Sequence, residues 1–171
     1  GLFLDELFFR GYHRVKITEP LFIVGIPRSG TTFIHRTLAG DDASFTTFKT
    51  WDALFAPSII QKKTFYLISR LDGCLGHPLH RLVAGATKRF TGKMTHIHDI
   101  GLQSPEEDYL TLLPAGACFI LMTAFPANRS LWQLGDFTKI DPRDRQIILQ
   151  FYQACLKKHL YGAGAGTRLL S

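Results

Sequence analysis

The sequence predicts an α/β protein with three layers, in which helices cover both faces of a parallel sheet. Residues 21–24 (LFIV) form a short, continuously hydrophobic run, which is typical of a strand buried on both faces. A glycine-rich turn over residues 25–32 leads into a segment of helical periodicity, residues 33–39, with Gly40 as its stop. Most of the chain beyond this unit has helical spacing, so we expect a largely helical insertion after it.

Further helices are predicted on both sides of the turn. Residues 2–14 place apolar side chains at helical spacing and end in a basic patch, as an amphipathic lead-in helix does. Residues 59–72 and 78–90 predict two helices, which a glycine-containing break at residues 73–76 separates.

Two helices that begin with proline are predicted in the second half of the chain. Pro105 opens the first, with Ser104 as its N-cap and Glu106 and Glu107 in the first turn, where the helix dipole favours acids. Residues 141–142 (DP) repeat this pattern and open a helix that runs to about residue 160. Glycines at positions 162, 164 and 166 predict a flexible turn before a last strand, residues 168–171.

Composition narrows the class of protein. The 171 residues, 46% of them hydrophobic, fit one domain with a sizeable core, residues 1–171. A net charge of +6 favours an anionic partner without specifying a nucleotide, a nucleic acid, a membrane surface or a sulfated product. The three cysteines are widely spaced and form no CxxC pair, which argues against a disulfide framework and predicts a reducing compartment, the cytoplasm.

The glycine-rich turn is a predicted phosphate-binding loop. A strand, a glycine turn and a helix in that order expose backbone N–H groups at the positive end of the helix. Gly25 and Gly30 have the glycine spacing of the Walker A loop, GxxxxGK[ST], but Thr31 replaces its lysine and the loop's cation is Arg28. This arrangement suits a terminal group beside a single 5′-phosphate, handled without a metal.

The loop and its flanks, PLFIVGIPRSGTTFIHRTLA, resemble the 5′-phosphosulfate-binding loop of sulfotransferases that use 3′-phosphoadenosine 5′-phosphosulfate, in the bacterial form with PRSGTT. Two further stretches are similar to segments of that family. Residues 98–108 contain a histidine followed seven residues later by Pro-Glu-Glu, and residues 48–52 resemble the tryptophan–acid segment, with Asp52 where glutamate is common.

The resemblance implies a P-loop-type fold and a metal-free transfer of a sulfuryl group to a hydroxyl or amine. The donor-binding residues it implies are Pro27, Arg28, Ser29, Gly30, Thr31 and Thr32. It also implies that later residues hold the 3′-phosphate of the donor. The chain begins with Gly1 and stops at a strand-like run, so we expect a domain truncated at its C-terminus and inactive alone.

The predicted catalytic residues are Arg28, His98 and Glu106. Arg28 supplies the cation that stabilises the leaving phosphate oxygen. His98 is the best candidate for the base because its ordinary pKa lies near neutrality, with a surface loop histidine as the structural alternative. Glu106 and Glu107 compete with it, with helix capping as their structural alternative. His96 and His98 resemble an HxH metal pair, but no third ligand follows at a suitable spacing, and we predict no metal.

The acceptor is predicted only as a class: a small molecule, a glycan or a lipid, and not a nucleic acid. The basic stretch between residues 62 and 93 is most simply a solvated helix face, with an acidic acceptor or peripheral contact with a membrane as the alternative. A nucleotide kinase-like phosphotransferase and a non-catalytic nucleotide-binding module are the alternative functions, and the magnesium dependence of nucleotide binding distinguishes them.

Overall fold

The fold is that of a computed structural model, which describes residues 1–26, 29–55, 57–79, 81–82, 85, 104–163 and 167–171. These residues form a mixed structure that is mostly helical. The α-helices are α1 (Leu2–Phe8), α2 (Thr31–Leu38), α3 (Thr50–Phe55), α4 (Ile59–Cys74), α5 (Ile120–Ala124) and α6 (Pro142–Ala163). Short 3-10 helices cover Arg10–Arg14, Asp108–Ala115, Arg129–Gly135 and Phe137–Lys139. Residues 78, 79, 81, 82 and 85 are also helical.

A small parallel sheet lies where the predicted loop begins. Strand β1 (Phe45–Thr46) pairs in parallel with β4 (Arg168–Leu169). On the other side of β4, Leu21 forms a parallel bridge with Leu170, and the Ile23 amide donates to the Ser171 carbonyl at 2.7 Å. The C-terminal strand therefore lies between residues 21–23 and β1.

The prediction that residues 21–24 are buried on both faces is wrong. Phe22 is 48% exposed and Val24 is 92% exposed. Leu21 and Ile23 are half-buried, so the exposure alternates along the run and, in the described part of the chain, only one of its two faces is covered.

The prediction that a helix begins at Pro105 is also wrong. Strand β3 (Pro105–Glu106) pairs antiparallel with β2 (Phe48–Lys49), and the Thr50 amide donates to the Ser104 carbonyl at 3.1 Å. This pairing holds the chain extended through residue 107, whose φ of −71° and ψ of 141° are extended. A 3-10 helix then begins at Asp108, three residues later than Pro105.

The longer predicted helices are confirmed. Helix α4 covers the predicted span 59–72, and α6 begins at Pro142, where Asp141 Oδ1 accepts from the Arg143 amide at 2.8 Å. Helix α2 ends beside Gly40 as expected. The predicted helix over residues 2–14 divides into α1 and a 3-10 helix at Phe9. Gly162 lies within α6 and not in the predicted turn, because the helix continues to Ala163. Residues 164–166 of that turn and most of the helix predicted over 78–90 lie outside the described residues. Within the ranges that the structure describes, no helix combines the length and apolar character needed to cross a bilayer.

One buried carboxylate joins three of these helices. Asp5 of α1 is fully buried and accepts hydrogen bonds from Ser58 Oγ at 2.9 Å and from the Ile59 and Ile60 amides at 3.1 and 3.0 Å. Lys158 Nζ of α6 lies 3.1 Å from the same carboxylate. Asp5 therefore satisfies the first amides of α4 and neutralises a buried cation of α6.

The hydrophobic core forms between α3, the 3-10 helix at Asp108–Ala115, α6 and β4. Its buried members include Phe48, Leu110, Leu156, Leu160 and Leu169. The core therefore fixes the start of the acidic segment, residues 106–108, against the C-terminal strand, and it places that segment near the glycine-rich turn.

Candidate functional site

Helix α2 presents its N terminus at the predicted phosphate loop. Gly30 precedes the helix with φ +90°, a left-handed conformation that favours glycine, and its carbonyl accepts from the Phe33 and Ile34 amides at 3.0 and 3.1 Å. Among the residues that the structure describes, no side chain caps this N terminus. The first-turn amides of Thr31 and Thr32 are therefore oriented as donors for an anion.

The first glycine of the motif is required by close packing. A Cβ atom at Gly25 would lie 2.7 Å from both Ser29 Oγ and Thr31 Cγ2, closer than real Cβ contacts. The Ser29 amide donates to the Ile26 carbonyl at 3.2 Å. The spacing of Gly25 and Gly30 thus reflects two needs, a close approach and a positive φ.

A cleft of about 180 Å³ adjoins this loop. Thr31 and His35 of α2 form one wall, and residues 107–109 form part of another. The full lining is Phe22, Ile23, Val24, Thr31, His35, Glu107, Asp108, Tyr109 and Ser171. The cleft therefore brings the N-terminal turn of α2 together with the acidic segment, which lies more than seventy residues later in the chain.

Glu107 is the carboxylate of this cleft with a perturbed pKa. Burial raises the pKa of Glu107, the negative charges of Glu106 and Asp108 raise it further, and a hydrogen bond with Tyr109 opposes the shift. Burial and the Glu107 charge raise the pKa of Tyr109 to about 12, so its hydroxyl remains a donor at neutral pH. A carboxylate whose pKa is raised in this way is a stronger base than an ordinary glutamate.

Two buried residues in the lining of the cleft hold its walls in place. Asp108 is buried and accepts a hydrogen bond from the Tyr152 hydroxyl of α6. His35 is also buried, with Nε2 3.1 Å from Thr47 Oγ1 and a hydrogen bond to the Leu170 backbone. Burial lowers the pKa of His35, which keeps the ring neutral at pH 7.

The structure brings together some of the residues predicted from the sequence. Ser29, Gly30, Thr31 and Thr32 lie at the start of α2, and Thr31 lines the cleft. Glu106 lies in β3 opposite Phe48, and the cleft is lined by its neighbour Glu107. The predicted residues Pro27, Arg28 and His98 lie outside the described residues.

Sequence reasoning did not single out His35 or Tyr152. His35 stands four residues after Thr31, so the two side chains share a face of the helix, and that spacing was a signal within the sequence. Tyr152 had no such signal, because its contact with Asp108 joins residues 44 positions apart.

The tryptophan–acid segment contributes to a second polar cluster. Asp52 is buried, and its Oδ2 lies 3.3 Å from Lys62 Nζ, which lies 3.1 Å from His159 Nδ1. Burial raises the pKa of Asp52 and lowers that of Lys62, and each opposite charge counters the shift of its partner. Lys62 is therefore a mostly buried partner of Asp52, which corrects its assignment to a solvated helix face.

Metal ligands do not cluster in the described ranges. Within them, no group of three His, Cys, Asp or Glu side chains is arranged to hold a metal ion. The pair His96 and His98 lies outside these ranges. Transfer without a metal therefore stays a prediction.

Comparison with known proteins identifies the family. Searches of curated proteins and of solved structures found no match. The family model described as the sulfotransferase family matches residues 20–136, which include the glycine-rich loop, the tryptophan–acid segment and the acidic wall of the cleft. Because the match covers more than half of the chain, the chain belongs to the sulfotransferase family.

Proposed function

We propose that this protein transfers a sulfuryl group from 3′-phosphoadenosine 5′-phosphosulfate to a hydroxyl or amine acceptor, on an α/β fold of the P-loop type. Family membership supports the reaction class. The observation that carries the proposal is the cleft, in which the N-terminal turn of α2 lies together with Glu107. An anion site and a proton acceptor beside one cleft are the two requirements of this reaction.

The donor binds through its 5′-phosphosulfate at residues 25–32. The Thr31 and Thr32 amides and hydroxyls hold the anion at the start of α2, with Ser29 and Gly30 shaping the turn. Pro27 and Arg28 complete this loop, and the Arg28 guanidinium neutralises the charge that develops on the leaving phosphate oxygen. A fixed arginine performs this role without a metal.

The transfer is an in-line displacement at sulfur. The acceptor oxygen or nitrogen forms a bond to sulfur as the bond from sulfur to the 5′-phosphate oxygen breaks, and 3′-phosphoadenosine 5′-phosphate leaves. The acceptor's proton passes to a base. We assign this role to Glu107, because it lines the cleft and because burial raises its pKa, and His98 and Glu106 are the alternatives that mutation separates.

The proposed acceptor is a small molecule, a glycan or a lipid rather than a nucleic acid, and the proposed location is the cytoplasm. The cleft of about 180 Å³ beside the loop supports an acceptor group of small size. The three cysteines are free, with Cys118 and Cys155 buried, in agreement with a reducing compartment.

Substitution of Arg28 tests the donor assignment. In the intact protein, we expect Arg28→Ala to abolish transfer from labelled donor and to weaken binding of 3′-phosphoadenosine 5′-phosphate, measured by calorimetry. Arg28→Lys should retain partial activity, because the charge survives while the two-pronged geometry is lost. Near-normal turnover in Arg28→Ala would contradict the assignment.

The same calorimetric measurement, with and without magnesium, tests the reaction class. Binding of the sulfotransferase product should be unchanged by removal of magnesium with a chelator. A phosphotransferase would instead bind ATP in preference and require magnesium. Tight binding of the donor with no transfer to any acceptor of a chemically diverse panel would indicate a non-catalytic nucleotide-binding module.

A further inference from the structure

A buried carboxylate lies beside the proposed base. Asp108 follows Glu107 in the lining of the cleft, and it is only 6% exposed. Removing a carboxylate from water costs free energy unless hydrogen bonds or a cation compensate for the loss. Among the described residues, no lysine or arginine forms an ion pair with Asp108, and its Oδ2 accepts a hydrogen bond from the Tyr152 hydroxyl. Tyr152 is therefore the partner that compensates for burial of this charge.

The hydrophobic core fixes the position of the Tyr152 side chain. Tyr152 lies on α6 between Ile148 and Leu156, at intervals of four residues, and all three side chains pack in or against the core. Burial raises the pKa of Tyr152 well above its usual value, and the Asp108 charge raises it further. The hydroxyl therefore stays protonated at neutral pH, and α6 supplies a fixed donor to Asp108.

The backbone is held on both sides of Glu107. On one side, Glu106 lies in β3, which pairs with β2. On the other side, Asp108 begins a 3-10 helix, where its carbonyl accepts from Thr111 Oγ1 at 2.6 Å and its carboxylate accepts from Tyr152. Glu107 is the single residue between these two fixed points, and its backbone is extended. Its place in the cleft therefore depends on both of them.

We propose that Asp108 and Tyr152 are positioning residues for Glu107: the Tyr152 hydroxyl anchors Asp108 to α6, and this anchor holds the Glu107 carboxylate at the cleft beside the first turn of α2. The inference rests on the proposed function, in which Glu107 takes the acceptor's proton. Tyr152 is not among the described residues that line the cleft, so it acts on Glu107 through Asp108 and not by contact with a substrate.

The charge of Asp108 also affects how strongly Glu107 binds a proton. Burial is the main cause of the raised pKa of Glu107, and the charges of Glu106 and Asp108 add to it. A hydrogen bond with Tyr109 opposes the shift. His35, the titratable side chain of α2 that lines the cleft, stays neutral at pH 7 because burial lowers its pKa. Asp108→Asn should therefore lower the pKa of Glu107, whereas Tyr109→Phe should raise it.

Substitution of Tyr152 tests the anchor. In the intact protein, we expect Tyr152→Phe to lower turnover with labelled donor about tenfold, because Asp108 loses its donor and Glu107 is no longer held in place. Binding of 3′-phosphoadenosine 5′-phosphate, measured by calorimetry, should change little, since the first turn of α2 is unaltered. Tyr161→Phe is the matched control, because this exposed tyrosine lies on the same helix, and its turnover should be that of the unmodified protein. Circular dichroism should show that both variants are folded.

The pH dependence of turnover separates positioning from a general loss of structure. Glu107 accepts a proton only when it is ionised, so turnover rises with pH through its pKa. In Asp108→Asn, which keeps an oxygen to accept from Tyr152, this rise should move to lower pH by about half to one pH unit. In Tyr109→Phe it should move to higher pH. A role limited to stability would leave the profiles of the folded variants unchanged.

A carbon-13 NMR titration of the Glu107 carboxyl, assigned by comparison with Glu107→Gln, follows the same ionisation without turnover. If this titration responds to Tyr152→Phe and Asp108→Asn while the protein transfers no sulfuryl group, the anchor stands and the proposed reaction is wrong. The inference is overturned if Asp108→Asn leaves the titration unmoved, if Tyr152→Phe turns over as fast as the unmodified protein, or if Tyr152→Phe loses product binding as much as turnover. An equal loss of turnover in Tyr161→Phe would also overturn it.

Discussion

Two carboxylate sites in this molecule have opposite environments. Asp5 is surrounded by donors: a serine hydroxyl, two backbone amides and the Lys158 ammonium. Glu107 lies between two other acids, with the Tyr109 hydroxyl as its hydrogen-bond donor, and its pKa is raised. The environments fit different roles. A carboxylate whose oxygens all accept hydrogen bonds holds helices together, whereas a carboxylate beside like charges binds a proton more strongly.

The largest expected effect is a loss of turnover when Glu107 is substituted. Glu107→Gln keeps the size and hydrogen-bonding capacity of the side chain but cannot accept a proton, so we expect turnover to fall by a factor on the order of 10²–10⁴. Binding of the donor product should change little. Initial rates with labelled donor, compared with product binding by calorimetry, measure both quantities.

Glu106→Gln is the matched control, since it changes the neighbouring acid, which does not line the cleft. His98→Ala completes the comparison. A loss of turnover in His98→Ala or Glu106→Gln, with full activity in Glu107→Gln, would show that Glu107 is not the base. The comparison with Asp5 would then no longer be one between a structural and a catalytic carboxylate.

The next largest expected effect is a loss of stability when Asp5 is substituted. Asp5→Ala leaves Lys158 buried without its principal carboxylate partner, and removal of one member of a buried ion pair typically costs about 3–5 kcal/mol. We expect the urea midpoint of the variant to fall accordingly. The double variant Asp5→Ala with Lys158→Met should recover part of the loss, and a loss no greater than that of an exposed acid such as Asp42→Ala would refute the structural role.

A smaller effect is expected from the serine beside Asp5. Ser58 donates to Asp5 and accepts from the Gln61 amide at 3.4 Å as the N-cap of α4. Ser58→Ala should therefore lower the free energy of unfolding by about 1 kcal/mol. Thermal denaturation measures this, and Ser69→Ala at an exposed position of the same helix, with an expected change near zero, is the control.

The smallest expected effect is the contribution of Glu107 to the pH dependence of stability. Because the folded pKa of Glu107 is raised above its ordinary value, its contribution to stability is present below about pH 4.5 and is lost as pH rises through the folded pKa. Glu107→Gln should thus gain stability relative to the unmodified protein as pH rises, by less than about 1 kcal/mol because the group is partly exposed.

Glu6→Gln provides a control of opposite sign for this measurement. A hydrogen bond from Tyr12, and a second one from His13, lower the pKa of Glu6, so its stabilising contribution appears as pH rises through the carboxylate range. Urea denaturation at several pH values should show Glu6→Gln losing stability relative to the unmodified protein where Glu107→Gln gains it. If the free energy of unfolding changed with pH in the same way in both variants, the opposite pKa shifts of Glu6 and Glu107 would be contradicted.

Local patterns predicted the two longest helices, α4 and α6, and the position of α2 after the glycine-rich turn. Residues 59–72 and the proline-initiated helix at Pro142 carry apolar spacing and caps within a few residues of each other, so their structure follows from the sequence nearby. The glycines at positions 25 and 30 likewise predict the turn that precedes α2.

Contacts between distant residues account for what the patterns missed. The Ser104–Pro105–Glu106 stretch resembles the start of a helix, but pairing with Phe48 and Lys49 holds it extended, and long-range pairing overrides local propensity. The same holds for the site: the acids of the Pro-Glu-Glu stretch were predicted as candidates, but which of them lines the cleft depends on the packing of β3, α6 and the C-terminal strand.

The position of β4 has a consequence for how the protein acquires its structure during synthesis. Leu21 pairs with Leu170, so the segment before the predicted phosphate-binding loop can pair only after about 150 further residues have been synthesised, which takes on the order of ten to thirty seconds. Bringing Leu21 and Leu170 together is slow, because the intervening chain loses conformational entropy before any contact between its ends offsets that loss. Until the C-terminal strand leaves the ribosome, the nascent chain holds the loop without the sheet that anchors it.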